Sequence, residues 1–336
     1  MAACGDHVNV LCNFKDNLQL VLAQIRDGES KRDDKHVFNE SEYWENVAIV
    51  FKVVHMEATK LSMVFSTPPP PSQKECEALI NGLEKSVLAL VSSYYSLPKT
   101  QGMTLRKEIQ KNIQQIIERI QNLVASVTKA CGSAEQLQST GQVWEEIDRF
   151  DELPKDNKQA TLLVLQQTTE LVKDASQEIE QALETEGDDD FLNELLDMTG
   201  ERSNEDTWSE GEKNLITISL GLIKTVKSAL KKTKEAVKIN GNCDSETNII
   251  QLDDLADFMK KLSPIIDDMT IVLYPPVVSS SVRSKVDSLG SSLSNMLLFL
   301  KNSHLTVAAD GKWIEFLLKA KQHNVDKVLE ALDEVS

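Results

Sequence analysis

His55 and Glu57 have the spacing that opens the zinc-deaminase signature, in which the histidine binds the metal and the glutamate transfers protons. That chemistry also requires two thiolates from a Pro-Cys-x-x-Cys string, and none of the five cysteines lies in such a string. A zinc ion would therefore lack its remaining ligands. We interpret His55 and Glu57 as ordinary residues of a helix face.

A second candidate is a calcium site. Oxygen-bearing residues match the first, third, fifth and twelfth positions of a calcium-binding loop: Asn242, Asp244, Glu246 and Asp253. The sixth position is Thr247, where the sharp turn of such a loop requires glycine. Asp253 is also one methylene shorter than the usual bidentate glutamate. We therefore favour a turn that caps a helix over a metal site.

The motifs of several common enzyme classes are missing from the sequence. It contains no GxxxxGK[ST] phosphate loop, no GxGxxG, no HExxH and no GxSxG. Each absence removes a class of catalytic or nucleotide-binding site. We predict that the protein is not an enzyme and that it uses neither a cofactor nor a metal.

Five lysines recur every three or four residues along one predicted helix: Lys224, Lys227, Lys231, Lys234 and Lys238. A nucleic-acid surface would combine such cations with aromatic side chains or arginines, and this stripe has neither. The net charge of −17 also disfavours contacts with phosphates. We predict a solvated helix face and no direct binding of nucleic acid.

An acidic segment divides the chain. Fourteen acidic residues and a single base, Arg202, lie between residues 178 and 212, so this segment supplies 13 of the 17 net negative charges. Like charges repel one another and resist compaction, which predicts a largely disordered linker over residues 188–206. We expect an N-terminal bundle of about six helices over residues 1–187 and a C-terminal four-helix bundle over residues 207–336.

The linker contains one apolar island. Its LxxLL spacing places leucines on one face of a short helix that can insert into an apolar groove. The candidate partner-binding residues are Phe191, Leu192, Leu195 and Leu196. The alternative is a small helix that packs against the protein's own surface.

Two serines are candidate phosphorylation sites. Ser203 and Ser209 each precede an acidic residue by three positions, the spacing that an acid-directed kinase recognises. Ser209 has a competing role, because Ser209 and Glu212 fit a capping box at the start of a helix. Modification of Ser209 would therefore change how that helix begins.

Helix signals dominate the rest of the chain. Only 5% of the residues are aromatic and there are 13 glycines, a composition that favours helices over strands. Amphipathic stripes, proline stops and two capping boxes, Ser72 with Glu75 and Ser209 with Glu212, predict about ten helices. The most regular stripe lies in a helix predicted over residues 104–130: Ile109, Ile113, Ile116, Ile120, Leu123 and Val127. Such seams pack on neighbouring helices at shallow angles, so we predict an all-α protein made of two antiparallel up-and-down bundles.

Seven strings occur in order along the chain: YYSLPK (94–99), QGMTLRK (101–107), PKDNK (154–158), VKDA (172–175), WS (208–209), QLDD (251–254) and YPP (274–276). Taken together, these strings resemble the cyclin-D-interacting family, also called Maid for its maternal Id-like character. The resemblance extends from about residue 40 to residue 335 and rests on the set of strings rather than on any one of them.

This resemblance implies a non-enzymatic regulator of cell-cycle progression and transcription, located in the cytoplasm and the nucleus. Family members bind D-type cyclin, restrain its kinase complex and associate with a haematopoietic signalling adaptor. They are likened to helix-loop-helix inhibitors without a basic region, which adds helix-loop-helix transcription factors as partners. A DNA-reading basic arm would precede the first helix of such a unit, which in this chain starts near Asp156. The residues before that helix include Asp148, Asp151 and Pro154 instead of bases.

The alternative hypothesis is a cytoskeletal or scaffold adaptor, because long helices in bundles also build such proteins. No membrane partner is predicted, since no apolar stretch reaches the roughly eighteen residues that a spanning helix requires. The first residues lack the pattern of a signal peptide, and the five scattered cysteines suit reduced thiols.

Overall fold

The computed structural model describes residues 6–27, 38–67, 69–188 and 207–335. Within these ranges the chain forms ten α-helices and no β-strand, which confirms the predicted all-α class. The helices are α1 Asp6–Asp27, α2 Glu40–Val64, α3 Gln73–Ser96, α4 Met103–Lys129, α5 Ala134–Asp148, α6 Asn157–Asp188, α7 Glu210–Asn240, α8 Glu246–Ile271, α9 Ser279–Lys301 and α10 Gly311–Val335. None of these described helices combines the length and the apolar composition that crossing a bilayer requires.

Two capping boxes set the starts of α3 and α7, as the sequence predicts. Ser72 accepts a hydrogen bond from the Glu75 backbone N–H, and the Glu75 carboxylate accepts bonds from the Ser72 hydroxyl and N–H. The hydroxyl and backbone bonds from Ser72 lower the pKa of Glu75. Ser209 and Glu212 repeat the arrangement at α7. Each box satisfies N–H groups that the first turn of a helix leaves without partners.

The first compact unit ends at Asp156 and contains α1 to α5. Its helices form a ring, in which α1 packs on α3 and α4, α4 on α5, α5 on α2, and α2 on α3. Gln136, at the start of α5, donates to the backbone carbonyl of Ser62 near the end of α2, so these two helices are antiparallel. The predicted seam of α4 forms the centre of the unit, since all six of its residues are at most 1% exposed.

The second compact unit begins at Asn157 and contains α6 to α10. Here α6 packs on α7 and α8, α7 on α10, α10 on α9, and α9 on α8. Ion pairs from Lys285 to Asp268 and from Arg283 to Asp333 join the start of α9 to the ends of α8 and α10. These neighbours are therefore antiparallel. One hydrophobic cluster draws side chains from all five helices.

The division between the units differs from the predicted one, because α6 belongs to the second unit. The sequence predicts separate bundles over residues 1–187 and 207–336, with about six and four helices. In the structure the boundary lies between Asp156 and Asn157, and five of the described helices fall in each unit. The physical reason is that the apolar face of α6 is buried in the core that α7 and α8 share. The acidic segment, residues 178–212, therefore begins in α6 and ends in α7, two neighbouring helices of one unit.

Candidate interaction surfaces

The strings YYSLPK and QGMTLRK meet at a buried arginine. Arg106, in α4, is 2% exposed, and its guanidinium carbon lies 4.7 Å from the centre of the Tyr94 ring. The guanidinium also donates a hydrogen bond to the backbone carbonyl of Leu97, just after α3. Cation–π contacts are strongest where water is excluded. Arg106 therefore fastens the end of α3 to the start of α4 from inside the first unit.

A second anchor is Lys155, in the string PKDNK. Its Nζ lies 3.8 Å from the centre of the Phe150 ring and 4.5 Å from that of the Trp44 ring, and it donates to the Phe150 carbonyl. In return, Trp44 Nε1 donates to the Lys155 carbonyl at 3.1 Å. Burial lowers the pKa of Lys155. These contacts hold the segment after α5 against the start of α2.

The strings PKDNK and QLDD meet in the second unit. The Asn157 side chain is fully buried and donates to the Ile249 carbonyl at 3.1 Å and to Asp253 Oδ1 at 3.0 Å. One turn later, the Thr161 hydroxyl donates to the Asn157 carbonyl at 2.8 Å and also lies 3.3 Å from the Leu252 carbonyl. Buried polar groups require partners, so these bonds set the register of α6 against α8.

The strings WS and YPP meet at the opposite end of α8. Trp208 is 6% exposed, and its Nε1 donates to the Leu273 carbonyl at 2.8 Å. The Trp208 and Tyr274 rings are 5.7 Å apart. Burial, together with the neighbouring Glu178 carboxylate, raises the pKa of Tyr274. Six of the seven strings that carry the family resemblance thus serve as anchors between helix ends.

His55 and Glu57 have structural partners on the surface of the first unit. The His55 ring stacks on the Trp144 ring, with centres 5.7 Å apart and 21° between the planes. Glu57 pairs with Lys60 at 2.5 Å, one turn along the same helix. Across the described parts of the chain, no group of three or more His, Cys, Asp or Glu side chains is placed to hold a metal ion.

The calcium-loop candidate forms a capping turn. Asn242 Oδ1 accepts hydrogen bonds from the Asp244 N–H at 3.2 Å and from the Asn248 side chain at 2.7 Å. Ser245 caps α8 by accepting a bond from the Asn248 N–H. Asp253, the twelfth residue of the candidate loop, accepts its bond from Asn157 in α6. Two of the four candidate ligands therefore already accept hydrogen bonds, Asn242 from within the loop and Asp253 from α6.

The lysine stripe lies on α7 along its border with α6. Lys224 forms an ion pair with Glu180 at 2.8 Å, and Lys234 donates to the side chain of Gln166. Both partners belong to α6. Exposed pairs of this kind contribute little to stability. The stripe is a solvated helix face, and Glu180 of α6 offsets one of its charges.

The candidates that remain from the sequence are the residues of the apolar island and the two serines. Five of them lie outside the described residues: Phe191, Leu192, Leu195, Leu196 and Ser203. Ser209 is described and exposed. Its hydroxyl lies 2.8 Å from the Glu212 carboxylate. Exposure leaves Ser209 accessible to an enzyme, while the capping box occupies its hydroxyl.

A surface that the sequence interpretation missed is a groove between α2 and α5, here called the α2–α5 groove. It has a volume of about 640 Å³, and Phe51, Met56, Ile147 and Phe150 supply its apolar lining. Exposed apolar side chains lie on both of these helices, and one of them, Met56, lines the groove. Their exposed fractions are 58% for Ile49, 51% for Met56 and 67% for Met63 on α2, and 64% for Leu137 and 38% for Trp144 on α5.

The sequence carries a signal for this groove in its spacing. Ile49, Met56 and Met63 are seven residues apart, and so are Leu137 and Trp144, so each set lies on one helix face. Periodicity alone does not separate such a stripe from the core stripe of the same helix. The contacts between α2 and α5 are needed to show which apolar residues remain exposed.

Two models of one protein family match the chain. The model described as Grap2 and cyclin-D-interacting, N-terminal, matches residues 46–185, and the C-terminal model of the same family matches residues 185–298. The two models meet after most of α6, whereas the compact units divide before it. Together the models include parts of both units.

Full-length relatives agree with this assignment. The chain is 40% identical to the cyclin-D1-binding protein 1 homolog of Xenopus laevis over 320 residues, 94% of this chain and 96% of the relative. It is 39% identical to the Danio rerio homolog, with 95% and 94% covered. It is 33% identical to cyclin-D1-binding protein 1 of Homo sapiens, with 95% and 92% covered. The chain therefore belongs to the Grap2 and cyclin-D-interacting family.

Proposed function

We propose that this protein binds D-type cyclin and acts through protein contacts without catalysis. The observation that carries the proposal is the similarity to relatives named cyclin-D1-binding protein 1, which covers 95% of this chain in the human case. The anchors between helix ends support the proposal, since they hold the exposed helix faces in place before a partner arrives. Such preorganisation reduces the entropy lost on binding.

Binding would restrain the cyclin's kinase complex by occupying the cyclin. The protein would then act as a negative regulator of the cell cycle and, through the targets of the kinase, of transcription. We propose the cytoplasm and the nucleus as its locations. A haematopoietic signalling adaptor is a second proposed partner, in keeping with Grap2 in the description of the family.

Pairing in the helix-loop-helix manner is less favourable for this fold. In that mode α6 and α7 would pack against the helices of a transcription factor. Their apolar residues already lie in the core of the second unit. Exposing one such side chain costs about 1.5–3 kcal/mol. We therefore propose that partners bind a preformed surface or the apolar island of the linker.

We expect the purified chain to bind a purified complex of D-type cyclin and its kinase with a dissociation constant of about 1 μM or lower, as a standard-sized interface allows. Calorimetry measures the affinity, and phosphorylation of a retinoblastoma-protein fragment measures the restraint. Absence of binding would refute the proposed partner. Binding that leaves the kinase rate unchanged would retain the partner and remove the regulatory role.

We also propose phosphorylation of Ser203 and Ser209 by an acid-directed kinase that uses ATP. Ser72 is a matched control for Ser209, because both hydroxyls lie in capping boxes, at 2.7 Å and 2.8 Å from their carboxylates. Both serines precede a glutamate by three positions, Glu75 and Glu212, so they differ in the residues between: Glu210 and Gly211 follow Ser209, whereas Gln73 and the base Lys74 follow Ser72.

In vitro labelling with such a kinase should therefore modify Ser209 and leave Ser72 unmodified. Ser209→Ala and Ser203→Ala should each remove part of the incorporated phosphate, while Ser72→Ala should remove none. Mass spectrometry of the digested chain locates the label. Phosphate on Ser72 at the level of Ser209 would show that the acidic surroundings do not select the site.

A further inference from the structure

We infer that the α2–α5 groove is the docking site for an amphipathic helix presented by the cyclin. The inference rests on the proposed function, because it names the surface through which that partner binds. The helix would carry large apolar residues at positions i, i+3 or i+4, and i+7, with basic residues on one flank. Three properties of the groove lead to this occupant: its register, its length and its charges.

The register of α2 against α5 aligns the exposed apolar residues on the two sides of the groove, here called the α2 bank and the α5 bank. Trp144 Nε1 donates to Thr59 Oγ1 at 2.9 Å, which places Trp144 about level with Met56. The helices are antiparallel, so Leu137, seven residues before Trp144, lies about level with Met63, seven residues after Met56. The groove therefore has matched apolar banks along two turns of each helix.

The length and spacing of the banks fit a helix. Ile49 and Met63 are 14 residues apart, which corresponds to about 21 Å along α2 and to about four turns of a third helix. A helix that lies between two others places a row of side chains at these intervals into the groove. Two of the exposed residues, Met56 and Met63, have flexible side chains that adapt to a partner's shape.

The charges on the banks determine the chemistry of the occupant. Asp148, the last residue of α5, and Asp151, in the turn just after it, line the groove opposite Lys52 of α2, and all three are exposed. A docked helix gains most if its bases face α5 and an acid faces Lys52. The chain's own apolar island is flanked by Asp188, by further acids and by no adjacent base, so it matches this pattern poorly.

Oxidative footprinting of methionines tests the groove without altering it. The full chain is oxidised alone and in complex with purified D-type cyclin and its kinase, and each methionine is quantified by mass spectrometry. Met56 and Met63 should oxidise several-fold more slowly in the complex. Met259 and Met296 are at most 1% exposed and serve as slow references in both samples.

A pair of variants supplies an independent readout. Met56→Glu should weaken cyclin binding by about 30-fold, the effect of removing a central contact of an interface. Phe316→Glu, at a residue of α10 that is 69% exposed, is the matched control and should bind within about twofold of the wild-type chain. Circular dichroism establishes that both variants fold.

The outcomes of these experiments distinguish a wrong docking site from a wrong partner. If the wild-type chain binds cyclin while Met56 and Met63 stay unprotected, the groove is excluded and cyclin binding stands. The same holds if protection is confined to Met198, which lies two residues after the apolar island in the sequence. If the wild-type chain does not bind cyclin, the proposed function and the groove inference both fail. If this chain forms a dimer and Met56→Glu dissociates it, the occupant of the groove is a second copy of the chain. That result would contradict the inference that a cyclin helix docks there.

Discussion

Replacing Arg106 with alanine is expected to lower the free energy of unfolding of the first unit by about 3 kcal/mol. The substitution removes the hydrogen bond to the Leu97 carbonyl and the contact with the Tyr94 ring. Leu97 is 1% exposed, so water does not readily replace the lost donor. The substitution also leaves a cavity, because Arg106 is among the largest fully buried side chains.

Arg106→Met is the matched control, since it separates the volume of the side chain from its charge. Methionine fills much of the space, and loss of the cation removes the cost of keeping a charge out of water. We expect a loss of about 1 kcal/mol for this variant. Urea unfolding followed by circular dichroism measures both values, and hydrogen exchange assigns the change to α3 and α4. Wild-type stability in Arg106→Ala would contradict an anchoring role for the guanidinium.

The individual helices could be predicted from the sequence because their signals are local. The pattern predicts a helix over residues 104–130, and α4 runs from Met103 to Lys129. Its seam residues recur every three or four positions, and that spacing by itself defines one face of a helix. The capping boxes of Ser72 and Ser209 are local as well, since each involves residues three apart.

The boundary between the units could not be predicted, because it depends on which helices cover α6. The stripe of α6 shows that one face is buried, but not which neighbour buries it. The change in charge between residues 178 and 212 is strong, yet it marks an insertion between two neighbouring helices of one bundle. The entropy of closing a loop rises slowly with its length, so a long insertion is tolerated there.

The anchors between helix ends depend on tertiary contacts in the same way. Asn157 follows Asp156, a residue that can cap a helix, and nothing in this local context marks the Asn157 side chain as buried. Its side chain is buried only because α8 brings Ile249 and Asp253 next to it. The family resemblance pointed to these strings without indicating their roles. The groove between α2 and α5 likewise exists only once the two helices are packed together.

The largest expected effect in the second unit concerns Trp208. Trp208→Ala should lower the free energy of unfolding of that unit by about 4 kcal/mol, within the range for truncation of a buried aromatic residue. The indole is 6% exposed, and its loss leaves the Leu273 carbonyl without its donor. Urea unfolding followed by circular dichroism measures the change. Because the chain has two compact units, the loss should appear only in the transition of the second unit.

Trp208→Phe is the matched control, because it keeps a ring against Tyr274 and removes only the N–H donor. We expect a loss of about 1–2 kcal/mol for this variant. The same anchor holds the start of α7. Trp208→Ala should therefore also speed hydrogen exchange in the first turn of α7 and speed the phosphorylation of Ser209. Trp208→Phe should change neither rate strongly. Unchanged exchange in Trp208→Ala would mean that the capping box of Ser209 and Glu212 suffices to hold the start of α7. In that case the indole would stabilise the unit without controlling access to the serine.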